Sequence, residues 1–298
     1  MKYARILSIV LSGLLLATGL PAQEQAEPLW SVLERGKRAL RAGDYAEAFN
    51  EFRRVEAAEP ESAEAARHIG LVFERAGDMR QALRYYERSL ERGNFDVPNT
   101  RAEVHYARAR IFREQENFGE YEREMNRLFA LHEAFVSDET EPQRQNQLRV
   151  VRNDSVARAL VLYRLEPTAF ARGHTDYGGY LVRAGRFAEA TPHLVQSVLE
   201  SFSHAIDQYR ELNPDYEFES LYGFMDEIDD SEPLTEFLAE RNAWEALYYL
   251  ATALYFDGYS RRGRELWRFV LDQPQSGAWA ARARIQLEAE RPLPPRFP

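Results

Sequence analysis

Two stretches near the start of the chain repeat each other at a spacing of 34 residues, and the recurring letters are those a pair of packed helices needs. Gly36 returns as Gly70, Gly43 as Gly77, Asp44 as Asp78, Ala48 as Ala82, and aromatic Phe52 as aromatic Tyr86. A fixed period of this length means that one helix–turn–helix unit stacks on the next. The small residue midway along each first helix lets the second helix approach closely, and the turn glycine supplies the positive φ that ends the first. Such a chain grows by adding pairs, so it offers extended concave surfaces in place of a closed pocket.

The same ruler finds further copies. From the small residue of a first helix, another small residue follows 12 positions later and a bulky apolar one 16 later, as in Gly36, Ala48, Phe52 and Gly70, Ala82, Tyr86. Gly178, Ala190, Leu194 and Ala251, Gly263, Trp267 keep both spacings. A fifth copy keeps Ala109 and Met125 but puts Tyr121 where the second small residue belongs, which predicts looser packing or a different angle. Ala109 to Gly178 is 69 residues and Gly178 to Ala251 is 73, so each gap has room for one degenerate pair. The first would cover Val136–Phe170, with its second helix over Asp154–Leu165 and a stop at Pro167. In the second gap, the helix starting near Ala188 keeps its apolar pattern through Tyr209 and should overrun before breaking at Asn213-Pro214. Gly277–Glu288 reads as a polar-backed capping helix, and the Pro-rich Arg291–Pro298 as a frayed tail that cannot continue it. No Gly/Ser-rich or charge-pure spacer divides the chain, so residues 23–290 form one elongated domain.

These residues resemble the tetratricopeptide repeat family, with Pro60 closing a second helix in the family's manner. The resemblance covers Leu29–Asn94, Ala102–Phe129, Ala171–Val198 and Trp244–Gln275. It implies an all-α, right-handed superhelical solenoid of antiparallel helix pairs, with about five recognisable repeats and one or two degenerate ones. It also implies an inner wall made by the first helices, and no enzyme activity. Carried onto this chain, that wall holds Lys37 and Arg41, Arg67 and Arg75, and Arg110 and Arg113, a positive strip that would attract an acidic segment or a carboxylate terminus. The family's carboxylate-clamping subset uses Lys and Asn where Leu33 and Lys37 stand here, so the chain departs from that mode.

Residues 1–22 resemble a secretory signal peptide: Lys2 and Arg5 come first, Ile6–Leu20 is apolar, and Ala22 is a small residue suited to cleavage. The apolar run is short of the roughly 20 residues a membrane-spanning helix needs, and the expectation is a secreted, periplasmic protein. Cysteine is absent, which removes disulfides, thiolate nucleophiles and thiolate metal sites. The net charge of −10 becomes −12 without the leader, a balance that disfavours a nucleic-acid partner.

No catalytic or metal-binding constellation is legible. The six histidines include no H-E-x-x-H, and His174 with His193 is the only pair a helix hairpin could bring together. From Glu211 to Glu240 there are eleven acidic residues and no basic one, interleaved with aromatics. The order lacks the central Gly and closing Glu of a calcium loop, so a solvated acidic face with a buried aromatic side is expected. Over Trp244–Phe256 a second stripe of Tyr248, Thr252 and Tyr255 is either core, covered by that acidic-aromatic segment, or a groove for an apolar side chain of a peptide. The reading is a non-catalytic protein- or peptide-binding scaffold or adaptor in the bacterial cell envelope, without cofactor, touching the membrane only through a partner unless the leader stays uncleaved. The alternatives are a small-ligand or solute-uptake accessory binding protein with the tyrosines as its aromatic pocket, and a non-catalytic subunit of an envelope enzyme complex.

Overall fold

The computed structural model describes residues 27–93, 95, 98–135, 141–165, 168 and 170–297; the leader at 1–22, Pro167 and Pro298 lie outside them. Among the described residues every element is helical. Five pairs follow the ruler: α1 (Leu29–Ala42) with α2 (Tyr45–Ala58), α3 (Ala63–Arg75) with α4 (Met79–Arg92), and α5 (Pro98–Glu114) with α6 (Phe118–Phe135). Two inserted helices, α7 (Glu141–Asn153) and α8 (Val156–Leu162), precede the fourth pair, α9 (Ala171–Arg183) with α10 (Phe187–Leu212). Two more, α11 (Leu221–Ile228) and α12 (Glu232–Glu240), precede α13 (Ala243–Phe256) with α14 (Ser260–Asp272), and α15 (Ala278–Glu288) closes the helical-repeat solenoid.

Each recurring letter has a structural task. Gly43 and Gly77 sit at φ 80° and 85°, where an L side chain is strained. The aspartates that follow cap the next helix: Asp44 accepts from the Glu47 amide at 3.0 Å and Asp78 from the Gln81 amide at 3.1 Å. Mid-helix, a Cβ on Gly36 would lie 2.6 Å from the Phe52 ring, one on Gly70 2.8 Å from the Tyr86 ring, and one on Gly178 2.5 Å from Leu194 Cγ. In the last pair the glycine has moved to the second helix, where a Cβ on Gly263 would meet the Ala251 carbonyl at 2.6 Å. In the third pair Ala109, Tyr121 and Met125 are all fully buried, so the substituted ring does not loosen the pair. It reaches out of it instead, meeting Tyr180 and Tyr177 of α9 edge-on at 4.9 and 6.0 Å.

Both gaps hold a helix pair, but beside the stack. The fourth pair sits directly on the third: a Cβ on Gly173 would meet Leu128 at 2.8 Å, and Tyr106 donates to Asp176 at 2.6 Å. It also sits directly under the fifth, with the Tyr249 ring 2.8 Å from where a Gly179 Cβ would be. The long α10 runs as expected to Leu212 and supplies the shelf on which the insertions pack. Ser203 accepts from the Leu165 amide after α8, and Tyr209 meets Phe224 of α11 edge-on at 6.2 Å. The acidic segment buries Phe218, Phe224 and Met225, as its aromatics predicted.

The tail departs from expectation. Pro292 is buried, the Gln286 side-chain amide donates to the Leu293 carbonyl at 2.9 Å, and the Phe297 ring lies 5.0 Å from Phe118 and 5.5 Å from Tyr180. Proline forbids a helix here without forbidding docking, and these contacts hold residues 291–297 against the body.

Gly70→Leu forces α3 and α4 apart against the Tyr86 ring and should cost about 1–3 kcal/mol by overpacking. Gly119→Ala, on a helical residue whose Cβ would meet nothing within 4 Å, should be neutral or gain a few tenths of a kcal/mol. Urea melts of both variants check the pair, and equal midpoints would refute the close approach.

Candidate functional site

The first helices adjoin one another, and their polar residues bind pair to pair. Lys37 of α1 reaches Glu64 of α3 at 3.2 Å, and Arg67 of α3 reaches Glu103 of α5 at 2.9 Å. Arg110 of α5 pairs back to Glu74 of α3, and Arg113 of α5 reaches Asp176 of α9 at 3.3 Å. Tyr86 and Tyr106 donate their hydroxyls to the same Glu74 and Asp176, and burial together with those carboxylates pushes both phenols up. The cations expected on this wall are therefore all on first helices, but four of the six are spent on carboxylates of the neighbouring helix. Arg41 and Arg75, in the last turns of α1 and α3, stay exposed. The carboxylate partners were missed from sequence. The ruler could have found two of them, because Glu64 and Glu103 each stand six residues before their pair's small residue.

At the α1–α3 joint the ladder includes a buried imidazole. His68 stacks on Phe52 at 4.7 Å and meets Glu64 at 3.4 Å. Burial lowers its pKa to about 4, so the ring is neutral at pH 7. The bond from His68, aided by Lys37, holds Glu64 down at about 2.

Where α5, α9 and α13 meet, the wall opens into a recess of 520 Å³ lined by Arg113, Phe118, Asp176, Arg183, Glu245 and Phe297. Burial raises the Glu245 carboxyl, and Asp176 adds to it. Arg183 lies over the Phe297 ring at 5.2 Å, with its Nε buried and without an acceptor.

Two of the three residues of the tyrosine stripe are core, and Tyr255 packs half-buried beside them. Tyr248 and Thr252 are 3% and 0% exposed. Tyr248 packs on Trp279 of α15 at 5.3 Å and meets the Gln286 amide, while Thr252 accepts from Trp267 at 3.3 Å and Tyr255 packs on that indole at 5.0 Å. The cover is α14 and α15, and not the acidic segment, because the capping helix lies across this face of α13. The burial of Tyr248 and Thr252 corrects their expected role as peptide contacts, while Tyr255 stays half-buried against Trp267. His174 and His193 do come together, Nδ1 to Nδ1 at 2.9 Å, with Phe129 against both rings at 4.4 and 4.5 Å. One ring must donate and the other accept, so at least one is neutral. Among the described residues no group of three or more His, Cys, Asp or Glu is placed to hold a metal ion, and no helix is long and apolar enough to cross a membrane.

The tetratricopeptide repeat family model matches residues 33–97, the first two pairs. Residues 33–97 are thus similar to tetratricopeptide repeats, and the chain as a whole is a helical-repeat solenoid. The comparison with curated proteins returned no match. Among solved structures, the chain is similar to a tetratricopeptide repeat protein from Parabacteroides merdae ATCC 43184, at 14% identity over 86% of each chain with a TM-score of 0.37. It is also similar to the tetratricopeptide repeat domain of P58(IPK), at 11% identity over 88% of this chain and 99% of that one with a TM-score of 0.30.

Acid should weaken the first two pairs in two stages. Between the ordinary 6.5 of a histidine and about 4, the unfolded chain binds a proton that folded His68 refuses, so stability falls as pH drops through that window. Between 4.5 and about 2 the unfolded chain protonates Glu64 while the folded chain does not, which gives the second loss. The first stage should amount to on the order of 3 kcal/mol. His68→Phe, which keeps the stack on Phe52, should abolish it. A ring titration by NMR with urea melts from pH 7 to 4 checks this, and a variant that loses stability as steeply as the parent would clear His68.

Proposed function

We propose that the protein is a non-catalytic scaffold that binds a protein or peptide partner along its wall of first helices, exported to the bacterial cell envelope by residues 1–22. The observation that carries the reading is the recess at the α5–α9–α13 junction. Along the joints between first helices, Lys37, Arg67, Arg110 and Arg113 are each matched by a carboxylate of the neighbouring helix. In the recess Arg183 and Glu245 make no ion pair among the described residues, and the aromatic rings of Phe118 and Tyr180 stand beside them. Unpaired charge next to aromatic surface is the composition of a recognition site more than of a packing joint. Tetratricopeptide repeats generally serve as protein-binding scaffolds, and the match over residues 33–97 supports that reading. The exposed Arg41 and Arg75 are positive points on a chain of net charge −10 and suit a partner that approaches with an acidic segment. The alternative of a small-ligand carrier relied on the tyrosines of α13 as its pocket, and Tyr248 is packed under α15 and Tyr255 against Trp267 of α14.

Crosslinking capture from the native envelope fraction should recover a protein partner. Arg41→Glu with Arg75→Glu should slow its association several-fold at low salt and little at high salt, since exposed charges act over roughly 8–10 Å. Melting should be unchanged, because neither arginine belongs to the ladder. A rate insensitive to both charge and salt would remove these residues from the site. The exported chain should begin at or near Gln23 on N-terminal sequencing, and recovery of Met1 would mean an uncleaved anchor.

A further inference from the structure

The chain's own tail already packs beside the recess and supplies Phe297 to its lining. We propose that the surface from Gln286 of α15 to Phe118 and Tyr180 at the edge of the recess is a docking site for an extended, proline-rich segment carrying an aromatic residue, and that residues 291–297 occupy it as a tethered competitor of the partner; this rests on the scaffold reading above.

The segment reads Arg-Pro-Leu-Pro-Pro-Arg-Phe. Three prolines fix φ and remove backbone donors, so it stays extended and offers mainly carbonyls and side chains. The body meets it in kind. Gln286 donates to the Leu293 carbonyl at 2.9 Å, Pro292 is buried, and Phe297 enters between Phe118 and Tyr180 with the Arg183 guanidinium over its face at 5.2 Å. Extended backbone, proline contact and one aromatic anchor are the elements of polyproline-type recognition.

The fit is incomplete, and the unfilled groups describe the competitor. Arg183 Nε is buried without an acceptor, Gln286 Oε1 is buried without a donor, and Glu245 makes no ion pair among the described residues, while Arg296 of the tail stays exposed. A partner with the same extended, aromatic character, plus a carbonyl facing Arg183 and a basic side chain reaching Glu245, would satisfy groups the tail leaves open. Buried unpaired polar groups are costly, so that partner displaces the tail despite the tail's advantage of attachment.

A short tether supplies an effective concentration on the order of 1 mM, so for a peptide of about 100 µM affinity removing the tail should strengthen binding by about tenfold. The test uses a fluorescein-labelled synthetic peptide of residues 289–298 as probe, with three proteins: the full chain, the chain ending at Glu290, and full-length Phe297→Ala. In fluorescence anisotropy the truncated chain should bind the probe about tenfold more tightly than the full chain, with Phe297→Ala in between. A probe in which Ala replaces the phenylalanine should fail to bind. A truncated chain that keeps its circular dichroism yet binds no better than the full chain overturns the proposal. If truncation costs helix content, Phe297→Ala, which leaves the Pro292 and Leu293 contacts in place, decides in the same way. A full chain that is dimeric by light scattering and becomes monomeric on truncation would place the tail in a second copy and overturn self-occupancy. Probe binding without any partner captured from the envelope counts against the scaffold reading alone. Equal partner capture by full and truncated chains, with no probe affinity, counts against the tethered competitor alone.

Discussion

The contact on which the solenoid depends is a missing Cβ. In three of the five pairs a glycine of the first helix faces a large side chain sixteen residues on, at a distance no other residue could share: Gly36 against Phe52, Gly70 against Tyr86, Gly178 against Leu194. Close packing of each pair sets its thickness, and the thickness sets where the next pair meets it. That is why the first helices come near enough for Lys37 to reach Glu64 and Arg67 to reach Glu103. The fifth pair reaches the same closeness with the glycine on the other helix, so what is kept is the approach and not the letter.

The ladder between first helices is best understood as a joint. Ion pairs this exposed contribute little energy each, roughly 0–1 kcal/mol. They do fix which residue stands opposite which, and like charges facing each other would disfavour a shifted register. Where the ladder ends, at Asp176, the wall changes character: aromatic rings replace matched charges, and Arg183 and Glu245 are left over.

The inserted helices explain why the change falls there. With α7–α8 and α11–α12 set beside α10, the third, fourth and fifth pairs stack directly, and Tyr121, Tyr177, Tyr180 and Tyr249 crowd the two joints. The capping helix then covers α13 with Trp279, and the chain turns back along the wall to the recess. One consequence of that return is that Tyr248 and Thr252, open in sequence to either role, became core, while a tail expected to fray packs against the body.

Contacts within a pair were readable from the sequence because a helix hairpin closes at a fixed separation: the turn and two helix lengths determine that position 36 meets position 52, whatever the rest of the chain does. The same locality made the Gly-Asp turns, the overrun of α10 to Leu212 and the meeting of His174 with His193 legible. Contacts between pairs obey no such ruler. Whether α9 stacks on α6 or on an inserted pair, which carboxylate meets Arg113, and what covers Tyr248 depend on how whole hairpins sit against one another across tens of residues. Residue type limits those outcomes without choosing among them. Proline told the chain at 292, 294 and 295 to stay extended; only the arrangement of α6, α9 and α15 gave Phe297 a place to go.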